Sequence, residues 1–132
     1  MISPNFDRSE FACKCGCGYD TVDAELIRVL DEVRSVFGDR AVVITSGCRC
    51  RSHNETVGGW LASKHLVGKA ADFYISQVDC GLVAEYLEQQ YFDRYGIGRY
   101  DTWTHLDVRE RPARWGDRKD PPPAPSPRLS GI

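Results

Sequence analysis

Apolar residues in this chain follow a helical repeat in two segments and a strand pattern in others, and this mixture most constrains the fold. The first helical segment follows Thr21 and Asp23, either of which can cap it. Its apolar residues recur at helical spacing, as on one face of an amphipathic helix; they are Leu26, Ile27, Leu30, Val33 and Phe37. Residues 78–92 repeat the pattern, with an inner side formed by Leu82, Val83, Tyr86 and Leu87. Both helices are therefore predicted to pack on a core.

Four shorter segments are predicted to be strands because they are rich in β-branched residues or alternate in polarity. They are residues 41–45, 69–75, 95–100 and 103–108. The last two flank a turn at Asp101 and Thr102, as in an antiparallel hairpin. Residues 46–68 lack such a pattern and are predicted to be a long, functional loop. The order helix, strand, strand, helix, hairpin predicts an α+β fold with a mainly antiparallel sheet flanked by helices.

The two ends of the chain depart from this pattern. Residues 1–20 are predicted to be an irregular arm that contains three cysteines, and periodicity is lost from Pro112 onward. The 132 residues suit one domain, which we place at residues 1–118 with the arm included. Residues 119–132 are Pro-rich, which predicts an extended or disordered tail.

Net charge and hydropathy argue against two classes of partner. The formal net charge of −2 is unlike the basic surplus of a dedicated nucleic-acid binder. No apolar run approaches the roughly 20 residues of a membrane-spanning helix, so no membrane insertion is expected. The first residues lack the basic start and apolar stretch of a secretory signal. We therefore expect a chain that is made in the cytoplasm without a signal peptide. Separately, we expect it to be a monomer.

Six cysteines are many for such a chain. Cys13, Cys15 and Cys17 alternate with other residues in the arm, and Cys48 and Cys50 form a second pair. Disulfides are not the default without a secretory signal, and Cys-x-Cys-x-Cys differs from the Cys-x-x-Cys knuckle of structural zinc sites. Two interpretations stay open: a Gly-rich turn with partly buried thiols, or a metal or disulfide role. We assign structural roles to Cys13, Cys15, Cys17 and Cys50.

Two of the three histidines lie near an aspartate in settings that suggest metal ligands. Gly68 allows a tight turn between His65 and Asp72, and His105 shares a strand face with Asp107. Catalytic zinc commonly takes three ligands from histidines and carboxylates and keeps one position for a water whose pKa it lowers to about 7. On spacing alone a zinc site is one hypothesis, and hydrogen-bonded His–Asp pairs are the other.

A zinc hydrolase also uses groups that are not ligands. A carboxylate takes a proton from the water and later passes it to the leaving amine. Asp107 and Asp101 are the two candidates for this base. A guanidinium can hold a substrate carboxylate or the developing oxyanion, and Arg49 is the candidate because it begins the loop that ends at His65.

Several motifs of the chain resemble the zinc D-Ala-D-Ala carboxypeptidase family, which includes phage L-alanyl-D-glutamate endolysins and shares its fold with the hedgehog signalling domain. These motifs are Ser-Gly-Cys-Arg at 46–49, His-Asn at 53–54, Val-Gly-Gly at 57–59, and a complete Ser-x-His-x-x-Gly-x-Ala-x-Asp element from Ser63 to Asp72. The closing segment 96–109 and the arm at 5–18 resemble a small, phage-associated branch. The resemblance covers roughly residues 5–116.

The resemblance implies a fold, a cofactor and a set of site residues. It implies a hedgehog-like fold and one zinc ion with His65, Asp72 and His105 as ligands. Many relatives carry the catalytic carboxylate three residues before the last histidine, where this chain has Thr102. Because the branch has His-x-Asp, Asp107 is favoured over Asp101 as the base. Substrate-binding roles are assigned to Arg49, Ser63 and Trp103, and a structural role to His53.

The implied function is a zinc peptidase that cuts peptidoglycan stem peptides, as a D-Ala-D-Ala carboxypeptidase or an endolysin-type endopeptidase. A phage or prophage protein acting on the cell wall would fit the expected lack of a signal peptide. The alternative is a non-catalytic module that keeps the zinc site, as in hedgehog, and binds wall peptide or a protein partner.

Overall fold

A computed structural model gives the structure of the chain and describes residues 2–116. Its helices are α1 (Ala24–Val36), α2 (Arg51–Thr56) and α3 (Cys80–Gln90), with short 3₁₀ helices at Arg8–Phe11 and Lys64–Val67. Its strands are β1 (Val42–Ser46), β2 (Ala70–Ile75), β3 (Gly96–Arg99), β4 (Thr104–Asp107) and β5 (Ala113–Gly116). The predicted tail at 119–132 lies outside the described residues.

The strands of residues 2–116 form one five-stranded sheet in the order β1-β2-β4-β3-β5. The β1–β2, β2–β4 and β3–β4 pairs are antiparallel, and β5 pairs with β3 in parallel. The predicted α+β class and the β3–β4 hairpin are confirmed. The sheet is mixed, however, because β5 pairs with β3 in parallel. This strand was not predicted. Four residues after a proline are too short to show periodicity, and tertiary hydrogen bonds such as Ala113 N to Tyr95 O at 3.0 Å define this strand.

The two long helices pack on one face of the sheet. Asp23 caps α1 by accepting a 2.8 Å hydrogen bond from Glu25 N, which confirms one of the two predicted caps. The core contains residues of α1, of α3 and of the sheet, among them Leu30, Leu87, Phe73, Ile97 and Leu106. The prediction is wrong for one residue of the inner side of α3: Leu82 is 54% exposed, and Ala84 is buried instead.

Residues 46–68 are more ordered than the predicted loop. Cys50 caps α2 by accepting a 3.3 Å hydrogen bond from the His53 amide through its sulfur. This helix escaped prediction because its six residues, Arg-Ser-His-Asn-Glu-Thr, have no apolar face. Gly68 ends the second 3₁₀ helix at φ 71°, so the predicted tight turn before β2 is confirmed.

The opposite face of the sheet carries the polar residues that the sequence singled out. Alternation along β2 puts Phe73 in the core and Asp72 on the other face. Pairing then aligns Asp72 with His105 of β4, His105 with Gly98 of β3, and Gly98 with Trp115 of β5. One row across four strands thus places these side chains side by side.

Candidate metal centre

His65, Asp72 and His105 come together on this face, and we call them the histidine–aspartate cluster. One donor atom from each lies within 4.8 Å of the others. Asp72 Oδ1 is 3.4 Å from His65 Nε2 and 2.8 Å from His105 Nδ1. Two of the residues are neighbours on paired strands, and the 3₁₀ helix before β2 brings His65 to the same place.

The second ring nitrogen of each histidine has its own acceptor. His65 Nδ1 lies 2.6 Å from the carbonyl oxygen of Gly47, so it carries the proton and leaves Nε2 with a lone pair. His105 Nε2 lies 2.8 Å from Asp107 Oδ2, and His105 Nδ1 contacts Asp72 Oδ1 at 2.8 Å, so Nδ1 is the nitrogen that a metal ion beside Asp72 would contact. A histidine that binds a metal almost always donates its other N–H to a carboxylate or a carbonyl. The donor set therefore fits a divalent ion such as zinc.

Asp107 lies behind His105 instead of facing the cavity. Its side chain is wholly buried, and Arg109 holds it with two hydrogen bonds of 2.7 Å from Nε and Nη2. Burial would raise the pKa of Asp107, but hydrogen bonds from His105 and Arg109 outweigh it and hold that pKa well below its usual range. Asp107 is therefore held as an anion between His105 and Arg109.

Charge within the histidine–aspartate cluster is strongly coupled. Burial would lower the pKa of His105, but hydrogen bonds to Asp107 and Asp72 prevail and raise it to about 9. Burial would likewise raise the pKa of Asp72, whereas hydrogen bonds from His105 and His65 hold it well below its usual value. A cation at this position is therefore favoured, whether it is a proton or a metal ion.

The cluster opens into a cavity of about 230 Å³. Arg49, Ser63 and Trp103, the predicted substrate-binding residues, all line it. Arg49 Nη2 lies 3.5 Å from Asp72 Oδ2, and Ser63 Oγ caps the short helix that carries His65 by accepting from the His65 amide at 3.1 Å.

Two predicted residues lie elsewhere. Asp101 is exposed in the turn between β3 and β4 and does not line the cavity. His53 is half-buried in α2, where its amide donates to the Cys50 sulfur. Within residues 2–116, Asp72 is the sole carboxylate in the cavity lining.

Three further residues contribute to the cavity. Tyr100 stacks on Trp103 with ring centroids 4.4 Å apart, and the Trp115 ring lies 4.9 Å from His105. A side chain at Gly98 would collide with the Trp115 indole, so this glycine makes room for it. Arg109 lies over Trp115 at 5.2 Å. The alternation His105, Asp107, Arg109 was a sequence signal for Arg109, whereas Trp115 depends on the unpredicted β5.

Two histidines and an aspartate at the mouth of a cavity form the kind of ligand set that catalytic zinc commonly takes. Over residues 4–107 the chain matches the family described as Peptidase M15, and it belongs to that family. M15 peptidases are zinc-dependent, which confirms the predicted class of enzyme and cofactor. No curated protein matches the chain. None of the helices in residues 2–116 has the length and hydrophobicity needed to cross a lipid bilayer.

Proposed function

We propose that this protein hydrolyses peptide bonds in the stem peptides of bacterial peptidoglycan, with one catalytic zinc ion held by His65 Nε2, Asp72 Oδ1 and His105 Nδ1. One observation carries the proposal: three donor atoms converge at a cavity, and an acceptor fixes the second ring nitrogen of both histidines. When bound, zinc supplies Lewis-acid chemistry and makes water acidic enough to act as a nucleophile near neutral pH.

The charge of the cavity favours an anionic peptide segment. Arg49, Lys64 and Arg109 line it, against the single carboxylate of Asp72. Arg49 is held by Ser46 Oγ at 3.1 Å and Asn54 Oδ1 at 3.2 Å, so its guanidinium is preorganised. Such a group binds a terminal carboxylate or a developing oxyanion with little loss of side-chain entropy. Stem peptides carry such carboxylates.

The size of the cavity suits a short peptide segment. Its volume is below the roughly 300–1,000 Å³ of pockets that enclose a drug-sized ligand. Tyr100 and Trp103 form a flat aromatic wall against which a small side chain can pack. Ser63 is proposed to contact the peptide backbone from the His65 side.

We propose that Asp107 is a positioning residue instead of the base. It contacts the His105 nitrogen opposite to the one nearest Asp72, and both of its oxygens are engaged by His105 and Arg109. Asp101 stays an exposed turn residue in this proposal. Asp107 therefore acts through His105, by fixing its tautomer and ring orientation.

A second candidate function is a zinc-containing module that binds wall peptide without cutting it. It is favoured by the lack of a free carboxylate in the cavity lining of residues 2–116. The two candidates share the same zinc site and differ only in turnover.

Digestion of purified peptidoglycan by the zinc-loaded protein separates these functions, with Asp72→Asn as the control. Release of single D-alanine residues, detected by mass, would indicate a carboxypeptidase. Release of stem or cross-link fragments would indicate an endopeptidase. Sedimentation with the wall but no soluble product in excess of the control would contradict the proposed enzyme and support the module. A phage or prophage origin and a monomeric state stay predictions.

A further inference from the structure

Four cysteines that the proposed peptidase does not use form a second convergent group. Cys13, Cys15 and Cys17 of the arm meet Cys50, which precedes α2, and we call these four residues the cysteine cluster. Their sulfur atoms all lie within 4.8 Å of one another. The separation is 3.5 Å between Cys13 and Cys15, 3.6 Å between Cys15 and Cys50, and 3.8 Å between Cys13 and Cys50.

These sulfur–sulfur separations match a metal tetrathiolate better than a set of disulfides. Four sulfurs bound tetrahedrally to zinc at about 2.3 Å lie about 3.8 Å from one another. A disulfide joins its sulfurs at about 2.05 Å and uses only two of them. The three separations among Cys13, Cys15 and Cys50 lie near the tetrahedral edge, the Cys17 sulfur lies within 4.8 Å of the others, and all four thiols are free.

The backbone is arranged to hold these thiols in place. Gly16 adopts φ 85°, a value that disfavours other residues, and its amide donates to the Cys13 carbonyl at 3.2 Å. The Cys13 amide closes the loop by donating to Tyr19 O at 2.7 Å. This turn folds Cys-x-Cys-x-Cys back on itself, so sulfurs that alternate in sequence reach one point.

Backbone amides also donate to the sulfurs themselves. The Cys50 amide donates to Cys13 Sγ at 3.4 Å, and the His53 amide donates to Cys50 Sγ at 3.3 Å. Such bonds stabilise negative charge on sulfur, which is the ligand form of cysteine. The cap of α2 and the cysteine cluster therefore share one sulfur atom.

We propose that Cys13, Cys15, Cys17 and Cys50 bind a second, structural zinc ion that ties the N-terminal arm to the segment before α2. Four thiolates complete a tetrahedral shell and leave no position for water, which distinguishes a structural site from a catalytic one. Soft sulfur donors select zinc or iron over magnesium and calcium. The site is independent of the proposed activity, because none of its ligands belongs to the histidine–aspartate cluster.

The position of this site explains what it would stabilise. Cys50 directly follows Arg49, whose side chain contacts Asp72 and whose amide donates to His65 O at 2.9 Å. The arm is joined to the same segment by the bond from Cys48 N to Phe11 O at 2.9 Å. A metal that clamps the arm to Cys50 would therefore stabilise the arm and the start of α2, while Ser46 and Asn54 still hold the Arg49 side chain.

Metal content of the whole chain tests the proposal. The protein is purified under reducing conditions, and zinc and iron per chain are measured by elemental analysis and native mass spectrometry. Two zinc ions are expected in the native protein and one in Cys15→Ser or Cys17→Ser, whose exposed positions accept serine easily. Cys80→Ser, at the start of α3, is the matched control and should keep both ions. Asp72→Asn should keep one ion, which separates failure of this proposal from failure of the proposed peptidase.

Cobalt substitution identifies the ligands in the native protein, even if a cysteine variant fails to fold. Thiolate ligation gives an intense charge-transfer absorption that two histidines and a carboxylate cannot give. That band is expected in native protein, Asp72→Asn and Cys80→Ser, and it should be lost in Cys17→Ser. Equal zinc content in Cys17→Ser and Cys80→Ser, iron in place of zinc, or a mass that shows an intramolecular disulfide in freshly purified protein would overturn the proposal.

Discussion

The histidine–aspartate cluster and the cysteine cluster gather metal-binding side chains in opposite ways. In the first, strand pairing and one short helix bring three donors to the mouth of a cavity, two of them on one row of the sheet. In the second, turns and helix caps bring four donors together, and two of these side chains are exposed. Three donors beside a cavity leave room for chemistry, whereas four donors complete a shell.

The difference shows that the two clusters are held in place by different kinds of contact. Asp72, His105 and Trp115 need only the sheet to be aligned, because their register follows from strand pairing. The arm has no strand in that sheet, so it needs local anchors. We therefore expect changes in the first cluster to affect activity and changes in the second to affect stability.

The largest effect is expected for Asp72→Asn. The amide keeps the shape of the side chain but removes the anionic donor that lies next to both histidines. Loss of the catalytic zinc removes several kcal/mol of transition-state stabilisation, on the order of a 10³-fold loss of kcat/KM on wall peptide. Zinc content and cleavage rate should fall together, while the thiolate band of the cobalt protein stays. Full activity in a variant that lacks this metal would contradict the assignment.

An intermediate effect is expected for Asp107→Asn. As a positioning residue, Asp107 should contribute about 10–100-fold in zinc affinity or activity, and added zinc should restore part of the rate. A base would instead leave zinc affinity unchanged and cost about 10²–10⁴-fold in rate, without rescue by zinc. The pH profile of kcat/KM should keep its acidic limb if Asp107 is not the base.

Asp101→Asn is the control with the same chemical change. Its exposed position in the β3–β4 turn predicts a much smaller loss than that of Asp107→Asn. Inactivation by Asp101→Asn alone would reverse the roles. Because Asp107 is buried with Arg109, thermal unfolding of each variant must be measured beside the rate.

The sequence predicted the residues of the histidine–aspartate cluster better than the residues around them. Strand alternation was enough to put Asp72 and Phe73 on opposite faces, and the motifs singled out His65 and His105 before any contact was known. The roles beyond the ligands depend on register. Only pairing of β4 with β2 shows that Asp72 contacts one nitrogen of His105 and Asp107 the other.

The convergence of the cysteine cluster, in contrast, could not be predicted from the sequence. The spacing of Cys13, Cys15 and Cys17 differs from that of the known zinc knuckle, and Cys50 lies 33 positions after Cys17. Their convergence depends on α2, whose polar sequence gave no helical signal, and on the turn at Gly16. Long-range placement of this kind follows from tertiary contacts that periodicity cannot reveal. The strand β5, with Trp115, was missed for the same reason.

A smaller effect is expected for Trp103→Ala, which removes half of the aromatic wall of the cavity. Stacked aromatic pairs contribute about 0.5–1.5 kcal/mol, so KM for wall peptide should rise roughly two- to twelvefold while kcat changes little. Zinc content should be that of the native protein. Phe92→Ala, at a residue that is 75% exposed and outside the cavity lining, is the control and should leave KM unchanged. A Trp103→Ala variant with unchanged KM would remove this residue from the substrate site.

The smallest effect on activity is expected when Cys13, Cys15 and Cys17 are all replaced by serine. These residues donate nothing to the cavity, so the rate with saturating zinc should stay within about twofold of the native value. Stability should fall instead, because a structural metal contributes folding free energy, and each 1 kcal/mol lost lowers Tm by roughly 2–8 °C in a domain of this size. Thermal unfolding and peptide cleavage of the same preparation test both statements, with Cys80→Ser as the reference. A triple variant that keeps its Tm but loses its activity would reverse the comparison, because the arm would then serve the reaction and the cysteine cluster would not serve the fold.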